Sequence, residues 1–514
     1  MSDRSFPRPR PEHGHATLVE LISAVRSDST DAFLLGADGS LVATYGDAAT
    51  RSAQMAHALR IAGARPGDRV AMQVQKSPDA LMLYLACVRI GSVLLPMNPG
   101  YTANEVAYLL GDAEPAVVVN DHTMPELRRA ADLLPQTFVD HISGPDDLAA
   151  ILYTSGTTGR PKGAMLTHRN LASNAWTLHQ MWGFQPGDVL LHALPIFHTH
   201  GLFVATNTSI ANGSPMVFLE RFDVDDVLTA LPHCTVMMGV PTFYTRLLNE
   251  PRFDRASCQH MRLFVSGSAP LLASVHDEFS ARTGLAILER YGMTETSMIT
   301  TNPLHRERRP GTVGGALTDV DVRVVGQDGR TVAAGAVGGI EVRGPNVFAG
   351  YWKRAELTAA EFTDDGFFRT GDVGMFDDDG YLHIVGRSKD LIISGGLNIY
   401  PKEVEDVIDS FEGVLESAVI GIPDADFGEA VVVVLVPLPD ATIDGESVRV
   451  QARERLAAFK VPKHVHVVDA LPRNAMGKVE KAMLRRTYAL ASPVDAGLAT
   501  ELGTQTATEL GTGS

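Results

Sequence analysis

The sequence predicts an α/β protein in two parts: a large N-terminal domain of layered sheets with a β-rich subdomain, and a small α+β domain after it. Three observations lead there. The chain has 514 residues, too many for one ordinary domain. Between residues 17 and 120 helical and strand-like patterns alternate, which is how strands joined by crossover helices read. Near residue 387 that pattern gives way to a compact set of short strands and helices reaching residue 486.

Composition narrows the classes of function. Hydrophobic residues make up 45% and charged residues 20%, so the chain can bury a large core. The formal net charge of -17 argues against nucleic acid or an anionic membrane as partner, while leaving room for a local basic pocket around a phosphorylated ligand. The three cysteines, Cys87, Cys234 and Cys258, are far apart and fit neither a disulfide framework nor a zinc site. They suit a reducing, cytoplasmic compartment. No stretch reads as a transmembrane span, and the N-terminus lacks the apolar core of a signal peptide.

The elements follow in order. Residues 1–15, rich in Pro, Arg and His, are expected to be disordered. Residues 45–64 read as an amphipathic helix, 69–74 as a strand, 80–90 as a helix and 92–96 as a short strand. Residues 103–110 continue with a helix and 116–119 with a buried strand. A link at 141–147 leads to two apolar runs, 148–152 and 164–166, around a polar loop. A helix at 170–182, a strand at 190–195 and a buried strand at 235–240 come next, after which Pro241 opens a helix at its favoured first position. Residues 263–265 lead into the tight turn Ser266-Gly267-Ser268-Ala269-Pro270. The strand at 285–290 puts Ala286, Leu288 and Arg290 on one side, and Leu285, Ile287, Glu289 and then Tyr291 on the other. Residues 313–352 are β-rich and Gly-punctuated, and two strands at 367–372 and 381–385 close the large part. The small part holds a Gly395-Gly396 loop, a helix from Pro401, strands at 418–422 and 430–436, a helix near 448–459 and a loop carrying Lys478. Residues 487–514 repeat Ala-Thr-Glu-Leu-Gly-Thr without apolar periodicity, and disorder is expected there.

Chemistry concentrates in the loop at 153–163, Tyr-Thr-Ser-Gly-Thr-Thr-Gly-Arg-Pro-Lys-Gly. Thr154, Ser155, Thr157 and Thr158 supply hydroxyl donors, and Gly156 and Gly159 let successive N–H groups converge on one anion. Lys162 adds a flexible point charge. The Walker A pattern wants Gly-Lys-Ser/Thr opening a helix, whereas Lys162 is followed by Gly163 and a strand-like run. A polyphosphate would thus be held by a loop between two strands. The plain alternative, a flexible surface turn, does not explain so many donors between buried strands.

Other candidate residues stand outside this loop. His198 and His200 follow a buried strand, but their spacing lacks a third metal ligand nearby. Arg246 shares a helix face with Phe243, and its ordinary partner would be Glu250 four residues on, a pair worth little. Arg290 is a large cation on the strand side that also carries Ala286 and Leu288.

The polar loop resembles the phosphate loop of the acyl-adenylate-forming superfamily, which comprises acyl-CoA synthetases, peptide-synthetase adenylation domains and firefly luciferases. Four further motifs in the same order carry the resemblance over almost the whole chain: Tyr291-Gly292-Met293-Thr294-Glu295, Thr370-Gly371-Asp372, Gly386-Arg387-Ser388-Lys389-Asp390 and Pro472-Arg473-Asn474-Ala475-Met476-Gly477-Lys478. Within the superfamily the chain most resembles the malonyl-CoA synthetases. The resemblance implies an ATP- and acyl-binding domain over 16–387, a hinge at 388–389 and a mobile domain over 390–486. It implies that the 154–162 loop holds the β- and γ-phosphates, that Glu295 binds Mg²⁺, and that Thr294 donates to the α-phosphate. By the same resemblance Lys478 bridges the carboxylate and the α-phosphate, Asp372 accepts from the ribose with Arg387 beside it, and Tyr291 packs on adenine. Gly267, Ser268 and Ala269 match the loop at the adenine edge. His198 matches the gate beside the acyl pocket, whereas His200 is expected to be structural. Thr199 and Met298 border the α-carbon of the acid, and Arg246 and Arg290 hold its distal carboxylate. Lys389 is the pivot about which the small domain turns, after which the Gly395-Gly396 loop shapes a tunnel for CoA.

The implied activity is ATP-dependent ligation of a small dicarboxylate, malonate or also methylmalonate, to CoA. A ligase for another small acid, or an adenylation enzyme loading a separate carrier protein, remains open. A nucleotide sensor without catalysis fits poorly with an intact Lys478 and Glu295, and a luciferase-like oxygenase with two arginines in its acid pocket. The sequence around Lys478 also resembles sites of lysine acetylation, so a lysine acetyltransferase is an expected partner.

Overall fold

The computed structural model describes residues 16–22, 29–154, 161–394, 397–424, 427–474 and 477–489. Among them, three sheets of nine, six and four strands build the large part, and one of five strands builds the small part. The six-stranded sheet is parallel through Arg69–Gln73, Val93–Pro96, Val117–Asn120 and Leu148–Thr154, then turns antiparallel into Lys162–Thr167. The nine-stranded sheet is parallel from Ala32–Leu35 through Met216–Phe218, Leu190–His192, Val236–Gly239 and Leu263–Ser266 to Ile287–Met293. It too ends antiparallel, at Ser297–Thr301 and Gly315–Ala316. Both sheets therefore change direction beside a motif, one at the phosphate loop and one at Glu295.

Local chemistry explains the connecting helices. Thr44 and Thr102 cap Tyr45–Ile61 and Ala103–Ala113 with reciprocal bonds to Asp47 and Glu105. Ser77 caps Pro78–Ile90, whose Pro sits at the first position and whose end is Gly91 in the left-handed region, φ 75°. That helix is buried almost all round, since it runs between sheets. Ends differ from the sequence reading by one to three residues at most elements of this region, as fraying ends do.

Two differences are larger. The strand expected to 195 stops at His192. After it His200–Thr206 forms a π-helix that runs on into the Asn207–Asn212 α-helix, buried from His200 to Ile210 with its polar residues included, so no exposed face marks it for periodicity. The region 313–352, whose pattern suits a small barrel or a sheet subdomain, is divided among sheets: Gly315–Ala316 joins the nine-stranded sheet, and Asp321–Val325 and Gly338–Arg343 build the four-stranded sheet with Phe368–Phe376 and Leu382–Arg387.

The small part has cores of its own. Val414–Asp424 and Gly428–Pro437 pair antiparallel along their whole length, with Pro401–Asp409 on one face and Lys481–Ala489 against the same long strand. The last helix continues to Ala489, three residues past the boundary read at 486. The turn Ser388–Asp390 is the link from the four-stranded sheet to this unit. Cys87, Cys234 and Cys258 are free and buried. Among the described residues no helix is long and apolar enough to cross a membrane.

The π-helix rests on a buried polar support. Lys76 Nζ donates to the His192 carbonyl at 2.7 Å and lies 2.9 Å from His192 Nδ1. His192 Nε2 lies 3.0 Å from the Gly201 carbonyl and 3.2 Å from Thr206 Oγ1. A Cβ on Gly201 would stand 2.1 Å from the Pro195 carbonyl oxygen, so only glycine lets the π-helix start there. Gly201→Ala is expected to destabilise the fold by about 1–3 kcal/mol, the cost of overpacking a tight core. The check is the denaturant midpoint at unchanged m-value; an unaltered midpoint means the π-helix is not held this way.

Candidate active site

The phosphate-loop strands meet as the sequence implies, with Thr154 opposite Lys162 in an antiparallel pair. Ser155, Gly156, Thr157, Thr158 and Gly159 lie outside the described residues, as do Gly395, Gly396, Ala475 and Met476. The short strand Gly350–Tyr351 pairs with Lys162–Thr167 and brings Tyr351 under the loop. Lys162 Nζ sits 4.4 Å from the centre of the Tyr351 ring and 3.9 Å from Glu361 Oε1. The Tyr351 hydroxyl donates to Glu295 Oε1 at 3.1 Å, and Thr154 Oγ1 donates to the same oxygen at 3.3 Å. Glu295 is thus tied to Thr154, at the start of the loop, and to Tyr351 of the neighbouring strand, and is 5% exposed.

Glu295 is held there by a tight hairpin. A Cβ on Gly292 would fall 2.0 Å from the Ser297 carbonyl oxygen, and Ser297 itself has φ 49°. Only glycine allows the two strands to approach so closely around Thr294, which is half-buried. No group of three metal-ligating side chains occurs among the described residues. One buried carboxylate with neighbouring hydroxyl oxygens is a hard oxygen donor set, which fits Mg²⁺ carried on a substrate polyphosphate.

The residues that the resemblance gives to the nucleoside centre on Asp372, in the Phe368–Phe376 strand. Arg387 Nε pairs with Asp372 Oδ1 at 3.0 Å, and the Tyr291 hydroxyl donates to Oδ2 at 2.5 Å. Burial first, and then the Asp372 charge, push the Tyr291 hydroxyl well above its ordinary pKa, so it remains a donor. Tyr291 therefore also orients Asp372, beyond the packing role that the sequence suggests. The turn at Gly267, Ser268 and Ala269 stands nearby. Ser268 adopts φ 72°, rare for serine, and its Oγ lies 3.3 Å from His200 Nδ1.

Arg290 faces away from Tyr291, as the two-residue period requires, and lies in a buried pocket. It is 3% exposed, and its Nε and Nη2 have no hydrogen-bond partner. A Cβ on Gly267 would be 2.4 Å from Arg290 Cζ, so this glycine makes the room for the guanidinium. Burial pushes the guanidinium down to about 9, against the weak pull of Tyr244. Its charge depresses both His198 and His200, which burial has already driven down, His198 to about 3. The His200 backbone N–H donates to His198 Nδ1 at 3.3 Å, so neutral His198 carries its proton on Nε2. Thr199 Oγ1 and His200 Nε2 are also buried without partners, and Met298 is 3% exposed.

Lys478 enters this site from the small part. Its loop is closed by Asn474, whose Oδ1 accepts from the Lys478 backbone N–H at 3.1 Å, and by Gly477 at φ 74°. Burial lowers the ammonium to about 8; Arg387 and Arg290 add to this, while Asp372 and Glu295 oppose it. Lys478 thus senses the nucleoside end, the metal candidate and the Arg290 pocket together. Lys389 is exposed in the turn Ser388–Asp390, and Arg485 of the last helix pairs with Asp390 at 2.7 Å.

Arg246 is exposed where Arg290 is buried. The Pro241–Leu248 helix buries Tyr244, Leu247 and Leu248, and Arg246 lies on the exposed side. Glu250 is not its partner either, because Arg252 Nε and Nη2 take both Glu250 oxygens, at 2.8 and 2.9 Å. His200, read as structural, lies in the pocket beside Arg290. Tyr351 and Glu361 were missed: the first reaches the loop by distant strand pairing, the second across a helix, and no local pattern marks either.

The fold, the nucleoside clamp and the lysine from a separate unit define a class of enzyme. Residues 25–352 match the family model "AMP-binding enzyme", and residues 403–478 match "AMP-binding enzyme C-terminal domain". The chain belongs to the AMP-binding enzyme family, as an AMP-forming acyl-CoA synthetase of the acyl-adenylate-forming superfamily. Among solved structures it is similar to ATP-bound MatB from Rhodopseudomonas palustris, with a TM-score of 0.89 and 50% identity, covering 92% of this chain and 99% of that one. Against apo MatB of the same organism the TM-score is 0.78 at 50% identity, covering 91% of this chain and 98% of that one. The domain arrangement thus follows the ATP-bound form, consistent with Lys478 in the site. Among curated relatives, a feruloyl-CoA synthase from Amycolatopsis sp is 37% identical over 88% of this chain and 95% of its own. The malonate–CoA ligase ACSF3 of Mus musculus is 33% identical over 93% of this chain and 94% of its own.

A pH dependence follows from Lys478. Its folded value is lowered, so its charge is present below about 8 and is lost as pH rises through that value. The kcat/KM for ATP in adenylate formation, which reports free-enzyme groups, is expected to fall along an alkaline limb with apparent pKa near 8. A profile flat from about pH 7 to about pH 10 contradicts a charged Lys478 in that step.

Proposed function

We propose that this acyl-CoA synthetase is a malonate–CoA ligase, forming malonyl-CoA, AMP and pyrophosphate through malonyl-AMP. The observation that carries the reading is Arg290, a buried guanidinium with two unpartnered nitrogens beside His198, His200 and Lys478. A buried, unpaired charge is costly. An anion on the substrate, other than the carboxylate being activated, offsets that cost. MatB and the mouse malonate–CoA ligase among the similar proteins support it. The feruloyl-CoA synthase shows that the same scaffold serves a bulky aromatic acid elsewhere, so the assignment rests on Arg290.

In the first half-reaction a carboxylate oxygen attacks the α-phosphorus of ATP and pyrophosphate leaves. Charge builds on phosphoryl oxygens, so the chain supplies donors and cations rather than a nucleophile. Lys162 and Thr154, with the rest of the 154–162 loop, hold the β- and γ-phosphates. Thr294 donates to the α-phosphate. Glu295 would hold Mg²⁺, which when bound would supply positive charge to offset that on the phosphates. Lys478 lies between the reacting carboxylate and the α-phosphate and stabilises both. Asp372, fixed by Arg387 and Tyr291, accepts from the ribose, while Tyr291 and the 267–269 turn border adenine. Neutral His198 presents its Nε2–H to the acid, and Thr199 and Met298 border its α-carbon, leaving room for malonate and for methylmalonate. In the second half-reaction the CoA thiol loses its proton and attacks the acyl carbon, and AMP leaves. Turning about Lys389 withdraws Lys478 and brings the Gly395-Gly396 loop to the thiol's path. Acetylation of Lys478 by a lysine acetyltransferase would remove its charge and silence only the first step.

The test is Arg290→Ala, read as the ratio of kcat/KM for malonate to that for acetate in ATP–pyrophosphate exchange. A site built to pair a polar group rejects analogues lacking it by ~10⁴-fold or more. The variant is expected to lower the ratio by at least about 100-fold, since the loss falls on malonate alone. An unchanged ratio returns the protein to an acyl-CoA ligase for another acid.

A further inference from the structure

The end of the Ala103–Ala113 helix collects hydrogen bonds from the segments around the phosphate loop. Four donors converge on Asp112. The Tyr153 hydroxyl donates to Asp112 Oδ2 at 2.6 Å, and Arg354 Nη2 donates to Oδ1 at 3.2 Å. Trp352 Nε1 and Lys353 Nζ donate to the Asp112 backbone carbonyl, at 3.1 and 2.9 Å. One turn earlier on the same face, the Tyr108 hydroxyl donates to the Pro161 carbonyl at 3.1 Å. The helix end is itself anchored. Arg69, on the Arg69–Gln73 strand, donates to the Ala113 and Glu114 carbonyls at 2.9 and 2.7 Å, groups that a helix end leaves open.

These partners share one property. Tyr153 precedes Thr154, where the strand Leu148–Thr154 enters the phosphate loop. Pro161 precedes Lys162, where the strand Lys162–Thr167 leaves it. Residues 352–354 follow Tyr351, whose ring lies against the Lys162 ammonium and whose hydroxyl donates to Glu295. The Trp352 N–H donates to the Gly163 carbonyl at 2.8 Å, and a Cβ on Gly163 would stand 3.3 Å from both Trp352 Cβ and Tyr153 Cζ. Three segments that carry phosphate-end residues are thus tied to two side chains on one helix. The ion pair of Asp112 with the partly exposed Arg354 adds little to stability by itself. Its effect on geometry is larger, because donors that must be ordered when a polyphosphate binds cost affinity, and donors already held in place do not.

We propose that Tyr108 and Asp112 are positioning residues for the polyphosphate of ATP. Acting through Pro161, Tyr153 and residues 352–354, they fix Lys162, Thr154 and Tyr351 relative to one another. The proposal rests on the reading of Lys162 and Thr154 as phosphate-holding residues, and not on which acid is activated. AMP has no β- or γ-phosphate, so its binding does not depend on this arrangement. That difference separates positioning from support of the fold.

The experiment is calorimetric binding of a non-hydrolysable ATP analogue and of AMP, with Mg²⁺ and without acid or CoA. It compares the wild-type enzyme with Asp112→Ala, Asp112→Asn, Tyr108→Phe and Tyr153→Phe, and Lys162→Ala tests the phosphate reading itself. The readout is the ratio of Kd for the analogue to Kd for AMP. Asp112→Ala is expected to raise the ratio about tenfold, the scale of one hydrogen bond to a charged group, with Kd for AMP kept within about twofold. Asp112→Asn keeps an acceptor for Tyr153 and is expected to recover part of the loss. Tyr108→Phe is expected to raise the ratio about threefold, the scale of a neutral hydrogen bond. Should Asp112→Ala lose its cooperative unfolding transition, Tyr108→Phe and Tyr153→Phe, each lacking one oxygen, carry the same test. A raised ratio in Lys162→Ala with an unchanged ratio in the folded helix and Tyr153 variants overturns the proposal and leaves the phosphate reading standing. Equal weakening of the analogue and of AMP also overturns it, since the helix then only supports the fold. An unchanged ratio in Lys162→Ala faults the phosphate reading and takes the proposal with it.

Discussion

An uncompensated cation sits at the centre of this enzyme. Arg290 is buried, and two of its nitrogens lack any partner. A protein of marginal stability does not retain such a group without a use, because breaking a buried charged pair costs several kcal/mol. The surroundings are arranged to tolerate it. Gly267 has no side chain where the guanidinium lies, and His198 and His200 are neutral beside it. Tyr244, which faces the same pocket, spends its hydroxyl on the Val265 carbonyl at 2.6 Å. Gly267, His198, His200 and Tyr244 add no charge of either sign, which on the proposed reading leaves the guanidinium to an anion brought by the substrate.

The same cation ties the acid pocket to the movable lysine. Lys478 feels Arg387, Asp372, Arg290 and Glu295 at once, so its ammonium is balanced between two repulsions and two attractions. On the proposed reading, ATP and a dicarboxylate add negative charge to that set and favour the docked, charged lysine. Once pyrophosphate has left, much of that attraction is gone. The docked position then rests on weaker contacts, such as the Gly477 loop on Thr242 and Lys402 near the buried Glu289. An electrostatic bias that disappears with the first product is a physical reason for a two-step enzyme to change its arrangement between steps.

Much of this could be read from the residues, and the failures have definite causes. The parallel sheets, the loop between two strands and the placement of Arg290 opposite Tyr291 all follow from strand periodicity, which is strict. The exposure of Arg246 could not be read from the sequence, because its helix carries apolar residues on several sides. Phe243, Tyr244, Leu247 and Leu248 do not fix its rotation, and the buried set excludes Phe243. The π-helix after His192 was invisible for a related reason: His200–Ile210 is buried throughout, and a segment without an exposed polar face carries no period. His200 was undervalued as a consequence. Tyr351 touches Glu295 only because a two-residue strand pairs with the phosphate-loop strand, a non-local match that no window of sequence contains.

The most direct measurement is a crystal structure with a non-hydrolysable malonyl-adenylate analogue. The account predicts the distal carboxylate on Arg290, with its oxygens about 2.8 Å from Nε and Nη2, the length of a charge-assisted bond. Lys478 should lie against the link between the acyl group and the phosphate mimic. A carboxylate turned to other donors, with Arg290 still unpartnered, would contradict the claim that this buried charge selects the substrate.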